Sequence, residues 1–144
     1  MRIEIKKMMA IFSTCLVFFI FDRIIKNLYF LKKEIGFLSF YENPRIFYFF
    51  QGSFFNLFFI LIFLGLIFLI VRSFQLKDYS KILGLTLIFI GGFSNFWDRL
   101  LYGFVIDYFV FLNLWVFNLA DLMIYFGAMI LIFRIIAPIK HDKI

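Results

Sequence analysis

The sequence predicts an all-α integral membrane protein with four transmembrane helices, and three observations predict it. Of its 144 residues 65% are hydrophobic, with a mean hydropathy of +1.00, which is more apolar surface than a soluble domain of this length can bury. The apolar residues fall into four runs, at about 8–30, 54–71, 82–101 and 117–136, each near the roughly 17–25 residues that a helix needs to cross hydrocarbon. Basic residues Arg2, Lys6, Lys7, Arg72, Lys77, Lys81, Arg134, Lys140 and Lys143 flank one side of these runs, while Lys32, Lys33 and Arg45 lie in the opposite connections. The side richer in Lys and Arg is expected to be cytoplasmic, with both termini on it. Residues 1–144 read as a single membrane-embedded domain.

The first span, Met8 to about Phe30, follows a short basic amphiphile. The stretch IFSTC, ending at Cys15, resembles a cleavage site, but Thr14 is a poor residue before such a cysteine and the apolar run continues past it, so a retained helix is expected. Within it Asp22 and Lys26 are one turn apart, acid before base, the favourable order for an ion pair. From Leu31 to Ser53 the chain is mixed, and the alternation in SFYENPRIFYFF suits short strands or an interfacial loop. Phe54–Val71 is the second span, with Asn56 its polar residue. After a turn carrying Arg72, Lys77, Asp78 and Lys81, the third span holds Gly84, Gly91 and Gly92, which let a neighbouring helix approach. Tyr102–Val116 is an aromatic connection, Phe117–Ile136 the fourth span, and Pro138, Lys140, His141 and Lys143 make a polar end.

Composition narrows the chemistry. The net charge of +6 is spread over termini and loops, so it reads as a topology signal and not as a nucleic-acid surface. One cysteine and one histidine, His141 in the tail, leave neither an intrachain disulfide nor a Cys/His metal site. A serine–lysine pair needs Ser53 or Ser94 beside a lysine at the same depth, and Lys26 already faces Asp22. Cys15 has no histidine in reach.

Aspartates remain. Asp98, Asp107 and Asp121 lie between Gly91 and Asp121 among apolar residues, and an ionised aspartate near a bilayer centre costs roughly 2.5–3.5 kcal/mol on insertion scales. Gly91, Asn95, Asp98 and Arg99 recur at three- and four-residue steps and share a helix face, as do Asn118, Asp121 and Tyr125. With Asp22, these groups gather toward the outer side. If the connection folds Asp107 back toward Asp121, the two carboxylates hold one proton between them. Such a pair can deprotonate water and protonate a leaving amine, the two tasks of peptide hydrolysis, without metal or cofactor. Plainer readings stand beside this one: Asp98 with Arg99 as an interfacial ion pair, Asn95 and Asn118 as interhelical hydrogen-bond glue, Asp107 as a solvated loop acid, and Trp97, Trp115 and the tyrosines as belt and packing residues. A non-catalytic bundle, either a proton relay or a binding scaffold, is the competing class, although a relay spreads polar residues through the membrane depth.

FDRIIK at 21–26, GGFSNFWDRLLYGFVID at 91–107 and FNLAD at 117–121 together resemble the signature blocks of bacterial lipoprotein signal peptidase, also called signal peptidase II. The resemblance implies four spans with a small extracytoplasmic β-cradle, in the bacterial inner membrane. It implies an aspartic endopeptidase, acting as a monomer without cofactor, that removes signal peptides from diacylglyceryl-modified prolipoproteins at the outer face. Membrane lipids are the other expected partner. By the same resemblance Asp107 and Asp121 are the catalytic pair, with Asn43, Asn95, Asp98, Arg99, Asn118, Asp22 and Lys26 in support. The chain departs from the family pattern after Asn43, where Arg45 and bulky residues replace glycine and small residues, and at Ser94, where glycine is usual. The connection between Asp107 and Asp121 is also short.

Overall fold

In the computed structural model, which describes residues 2–31, 39–44, 53–112 and 114–136, the chain runs α1 (Arg2–Phe30), β1 (Tyr41–Asn43), α2 (Ser53–Gln75), α3 (Tyr79–Tyr102), β2 (Val105–Asp107), β3 (Phe109–Phe111), β4 (Trp115–Phe117) and α4 (Leu119–Ile136). Among the described residues, three helices can cross a membrane by length and composition: Ile3–Phe30, Asn56–Gln75 and Leu119–Ile136. Their outward faces are apolar, with Leu16, Ile20, Phe58, Leu61, Phe68, Phe126 and Phe133 all exposed. Helix α3 stands outside that set because Lys81, Thr86, Ser94, Asn95, Asp98 and Arg99 dilute its apolar residues. It is instead the helix around which α1, α2 and α4 pack.

Each contact of α3 has its own chemistry. Against α2 it presents phenylalanines: Phe59 stacks on Phe96 at 5.3 Å, and Phe63 lies edge-on to Phe89 at 5.4 Å and to Phe96 at 5.5 Å. Against α4 it presents small residues. A Cβ added at Gly84 would lie 3.0 Å from the Gly127 carbonyl oxygen, and one at Gly91 would collide with the carbonyl oxygen of Ala120. The expected close approach therefore occurs at Gly84 and Gly91, where backbones pack as small-residue helix pairs do in lipid. A Cβ added at Gly92 would meet Phe63 at an ordinary 3.6 Å. Against α1 the contact is polar, because Cys15, Asp22 and Lys26 form the buried stripe of that helix at seven- and four-residue steps.

Helix ends follow local signals. Asp78 caps α3 by accepting from the Lys81 N–H at 3.1 Å. Gly103, at φ 80°, closes the other end in the left-handed conformation and returns its N–H to the Arg99 carbonyl at 3.1 Å. Around Asp78 the start of α1 and the end of α4 converge: Lys77 pairs with Glu4 at 2.6 Å, Arg134 donates through Nε to Asp78 at 2.7 Å, and Lys7 sits over the Tyr79 ring.

The strands lie at the opposite end. β1 and β2 pair antiparallel with Tyr41 opposite Asp107 and Asn43 opposite Val105, and β3 and β4 pair with Phe109 opposite Phe117 and Phe111 opposite Trp115. The aromatic connection expected after the third span is thus one strand of a two-stranded sheet followed by a hairpin. The β-branched and aromatic residues of FVID, FVF and WVF supply it. Phe117, expected to open the fourth span, belongs to β4, and α4 begins at Leu119. Lys32, Lys33, Arg45 and the bulky residues after it, together with Pro138, Lys140, His141 and Lys143, lie outside the described residues.

Candidate active site

Asn118 is where the carboxylates meet. It precedes α4 and forms a capping box with Asp121: the Asp121 N–H donates to Asn118 Oδ1 at 2.9 Å, and the Asn118 N–H donates to Asp121 Oδ2 at 3.1 Å. Its remaining amide hydrogens point the other way, and Nδ2 donates to Asp107 Oδ1 at 2.7 Å. One residue therefore bonds both acids, bringing a strand-borne carboxylate beside one on the first turn of a helix. Asp107 is 1% exposed, so it is not a solvated loop acid.

Each acid has a second amide. Asn43, diagonal to Asp107 across the β1–β2 ladder, donates to Asp107 Oδ2 at 2.7 Å. Asn95 on α3 donates to Asp121 Oδ1 at 2.7 Å and accepts from Asn118 at 3.1 Å and from Lys26 at 2.9 Å. Burial pushes the Asp107 carboxyl up to about 6. The Asn43 amide opposes that shift, and the neighbouring charge of Asp121 adds to it.

Behind the pair lies a buried charge network. Lys26 contacts Asp22 at 3.0 Å and Asp98 at 2.8 Å, and all three side chains are fully buried. Arg23 reaches Asp98 at 2.6 Å and also donates to the Ser94 carbonyl and hydroxyl, each at 3.2 Å. Asp22 accepts from the Ser94 hydroxyl at 2.6 Å, from the Tyr108 hydroxyl at 2.7 Å and from the Ala120 N–H at 3.3 Å, so its charge sits at the positive end of α4. Asp22, Lys26, Asn95 and Asp98 thus form one network spanning α1, α3 and the start of α4.

Arg99 is arranged differently from the interfacial pair its neighbour suggested. Adjacent residues on a helix diverge by about 100°, so Asp98 turns to α1 while Arg99 donates to the Asn95 carbonyl at 3.2 Å. Its charge lies within electrostatic reach of Asp121 and Asp107.

Every residue singled out from the sequence is present at this end, and three others join them. Arg23 and Ser94 complete the network, and their long-range contacts left no sequence signal beyond the position of Ser94 before Asn95. Tyr108, read as packing, is fully buried with its hydroxyl in the network. The capping box went unread in the sequence, although N-L-A-D has the required spacing just before an apolar run.

The chain resembles known proteins. The chain is 39% identical over 90 residues to the lipoprotein signal peptidase of Wigglesworthia glossinidia brevipalpis, covering 57% of this chain and 59% of that one. It is 35% identical over 125 residues to the lipoprotein signal peptidase of Mycoplasma genitalium, covering 81% of this chain and 63% of that one. The match thus spans less than two thirds of the length of either relative. A solved bacterial membrane enzyme, crystallised by the in meso method, shares the fold with a TM-score of 0.71 at 23% identity, over 90% of this chain and 94% of that one. Residues 14–137 match the signal peptidase (SPase) II family, and the chain belongs to that family.

Proposed function

We propose that this protein is an aspartic endopeptidase of the bacterial inner membrane that cleaves signal peptides from lipid-modified prolipoproteins, with Asp107 and Asp121 as its catalytic pair. The observation that carries the reading is the bonding of both carboxylates by Asn118 at one end of an apolar bundle. In this reading α3 also crosses the membrane, as the third of four spans of a single membrane-embedded domain. Both termini face the cytoplasm, the site lies toward the outer face, and the enzyme works as a monomer among membrane lipids.

The chemistry follows from charge. Two neighbouring carboxylates do not both ionise readily, and in this scheme Asp107, whose carboxyl burial raises, holds the shared proton. Asp121 is then the base that takes a proton from water as the water oxygen bonds to the scissile carbonyl carbon. Asp107 gives its proton to the carbonyl oxygen. When the tetrahedral intermediate collapses, the C–N bond breaks, the leaving nitrogen takes the proton held by Asp121, and one hydroxyl of the diol returns its proton to Asp107 as the carboxylic acid forms. Asn43, Asn95 and Asn118 hold the carboxylates in place, and Arg99 supports the charge that develops. The gathering of polar residues at one end speaks against the relay reading, which needs them spread through the membrane depth.

Asp107→Asn and Asp121→Asn are each expected to lower cleavage of a purified lipidated precursor by at least the 10²–10⁴-fold, in order of magnitude, associated with a positioned acid or base. Both variants should still insert into membranes. Cleavage at the wild-type rate by either one refutes the pair.

A further inference from the structure

We infer that Tyr108 is a positioning residue that sets the spacing of Asp107 and Asp121 by bonding to the chain on both sides of Asn118. The inference rests on the aspartic reading above and names a device within the same site.

Tyr108 directly follows Asp107. Its backbone N–H donates to the carbonyl of Phe117 at 3.2 Å, one residue before Asn118. Its hydroxyl accepts from the N–H of Leu119 at 3.0 Å, one residue after Asn118, and donates to Asp22 at 2.7 Å. The residue that bridges the two acids is therefore held from both flanks by the neighbour of one of them. The ring is fully buried and packs against Phe109 at 4.8 Å, which removes freedom from the hydroxyl.

The first turn of α4 leaves N–H groups without helical partners. Here the Leu119 N–H goes to Tyr108, the Ala120 N–H to Asp22 and the Asp121 N–H to Asn118. Of these three, the Tyr108 bond alone ties α4 to the strand that carries Asp107. Without it, among the described residues, the turn bearing Asp121 is held to β2 through the Asn118 amide alone, which reaches Asp107 and the Ile106 carbonyl, and small displacements of reacting groups cost rate disproportionately.

Tyr108→Phe removes this bond and keeps the ring. It is expected to lower kcat about tenfold while KM stays within about twofold, and to speed hydrogen exchange of the Leu119 amide, which loses its acceptor. Ile88→Ala, which thins the α3–α4 packing against Gly127 away from the site, serves as a control for stability loss and should keep kcat within about twofold. Wild-type kcat in Tyr108→Phe overturns the inference, as does a tenfold fall with no faster exchange at Leu119, which marks an effect through Asp22 and not through α4. Asp107→Asn, assayed in parallel, separates these outcomes from failure of the aspartic reading, because only that failure leaves it active.

Discussion

The two ends of the bundle hold ion pairs built from the same residue types in opposite surroundings. At the end where α1 starts and α4 finishes, Lys77 pairs with Glu4 at 2.6 Å with side chains 66% and 36% exposed. At the strand end, Lys26 lies between Asp22 and Asp98, and all three are 0% exposed. Exposed pairs share their charge with water and are screened by salt, so their loss changes little. A buried charge cannot fall back on water, and removing its partner leaves it stranded. The difference teaches that charge near the apolar bundle is tolerated in two ways: at one end by solvent, at the other by making each charged group the partner of several more. The second way locks the backbone as well, since Asp22 also holds the first turn of α4 and Lys26 also fixes Asn95.

Lys26→Met breaks the buried arrangement most severely. It leaves Asp22 and Asp98 without their shared cation, and loss of one partner from a buried pair costs about 3–5 kcal/mol. A fall in thermal midpoint in detergent, accompanied by loss of cleavage, is the expected result. A stable and active Lys26→Met protein contradicts the idea that the network is a unit.

The pH dependence sharpens the comparison next. Burial lifts the Asp107 carboxyl to about 6, above the roughly 3.9 of an unperturbed aspartate. The folded site therefore keeps a proton that the unfolded chain releases. The stability this contributes is complete below the unfolded value and is lost as pH rises through the folded one. In activity, the singly protonated pair disappears above about 6, so kcat/KM should fall about tenfold per pH unit on that limb. Because desolvation is the main cause of the shift, a bound substrate that excludes water moves the limb of kcat to higher pH. A kcat/KM that stays flat from about pH 5 to 9 excludes Asp107 as the proton carrier.

How much of this was legible in the sequence depended on the range of the interaction. Asp22 with Lys26, the small-residue face of α3, and Asn95 with Asp98 follow from spacing along one helix, and the apolar runs announce the bundle. The strands were half visible, because β-branched and aromatic residues suit a strand but do not choose its partner. That Asp107 is buried is a consequence of β1 crossing over from residues 41–43, a pairing that no local pattern encodes. Arg23 with Asp98, and Tyr108 with Asp22 and Leu119, are separated by 75, 86 and 11 positions respectively. They exist because three helices and a strand end at one depth. A tyrosine among many aromatics gives no sign that its hydroxyl, and not its ring, is what matters.

The smallest effect tests the other half of the comparison. If solvent is what makes charge tolerable around Glu4 and Lys77, then Glu4→Gln should leave the thermal midpoint and the cleavage rate unchanged, and high salt should mimic it by screening the pair. The pair could instead clamp the start of α1 to the α2–α3 turn, and through α1 set the depth of Asp22 and Lys26. Glu4→Gln would then reduce cleavage in proportion to its effect on Lys26, and the two variants would not be additive. Additive behaviour, with no change from Glu4→Gln alone, means that the two ends are held independently and that the geometry of the candidate site is determined at the strand end.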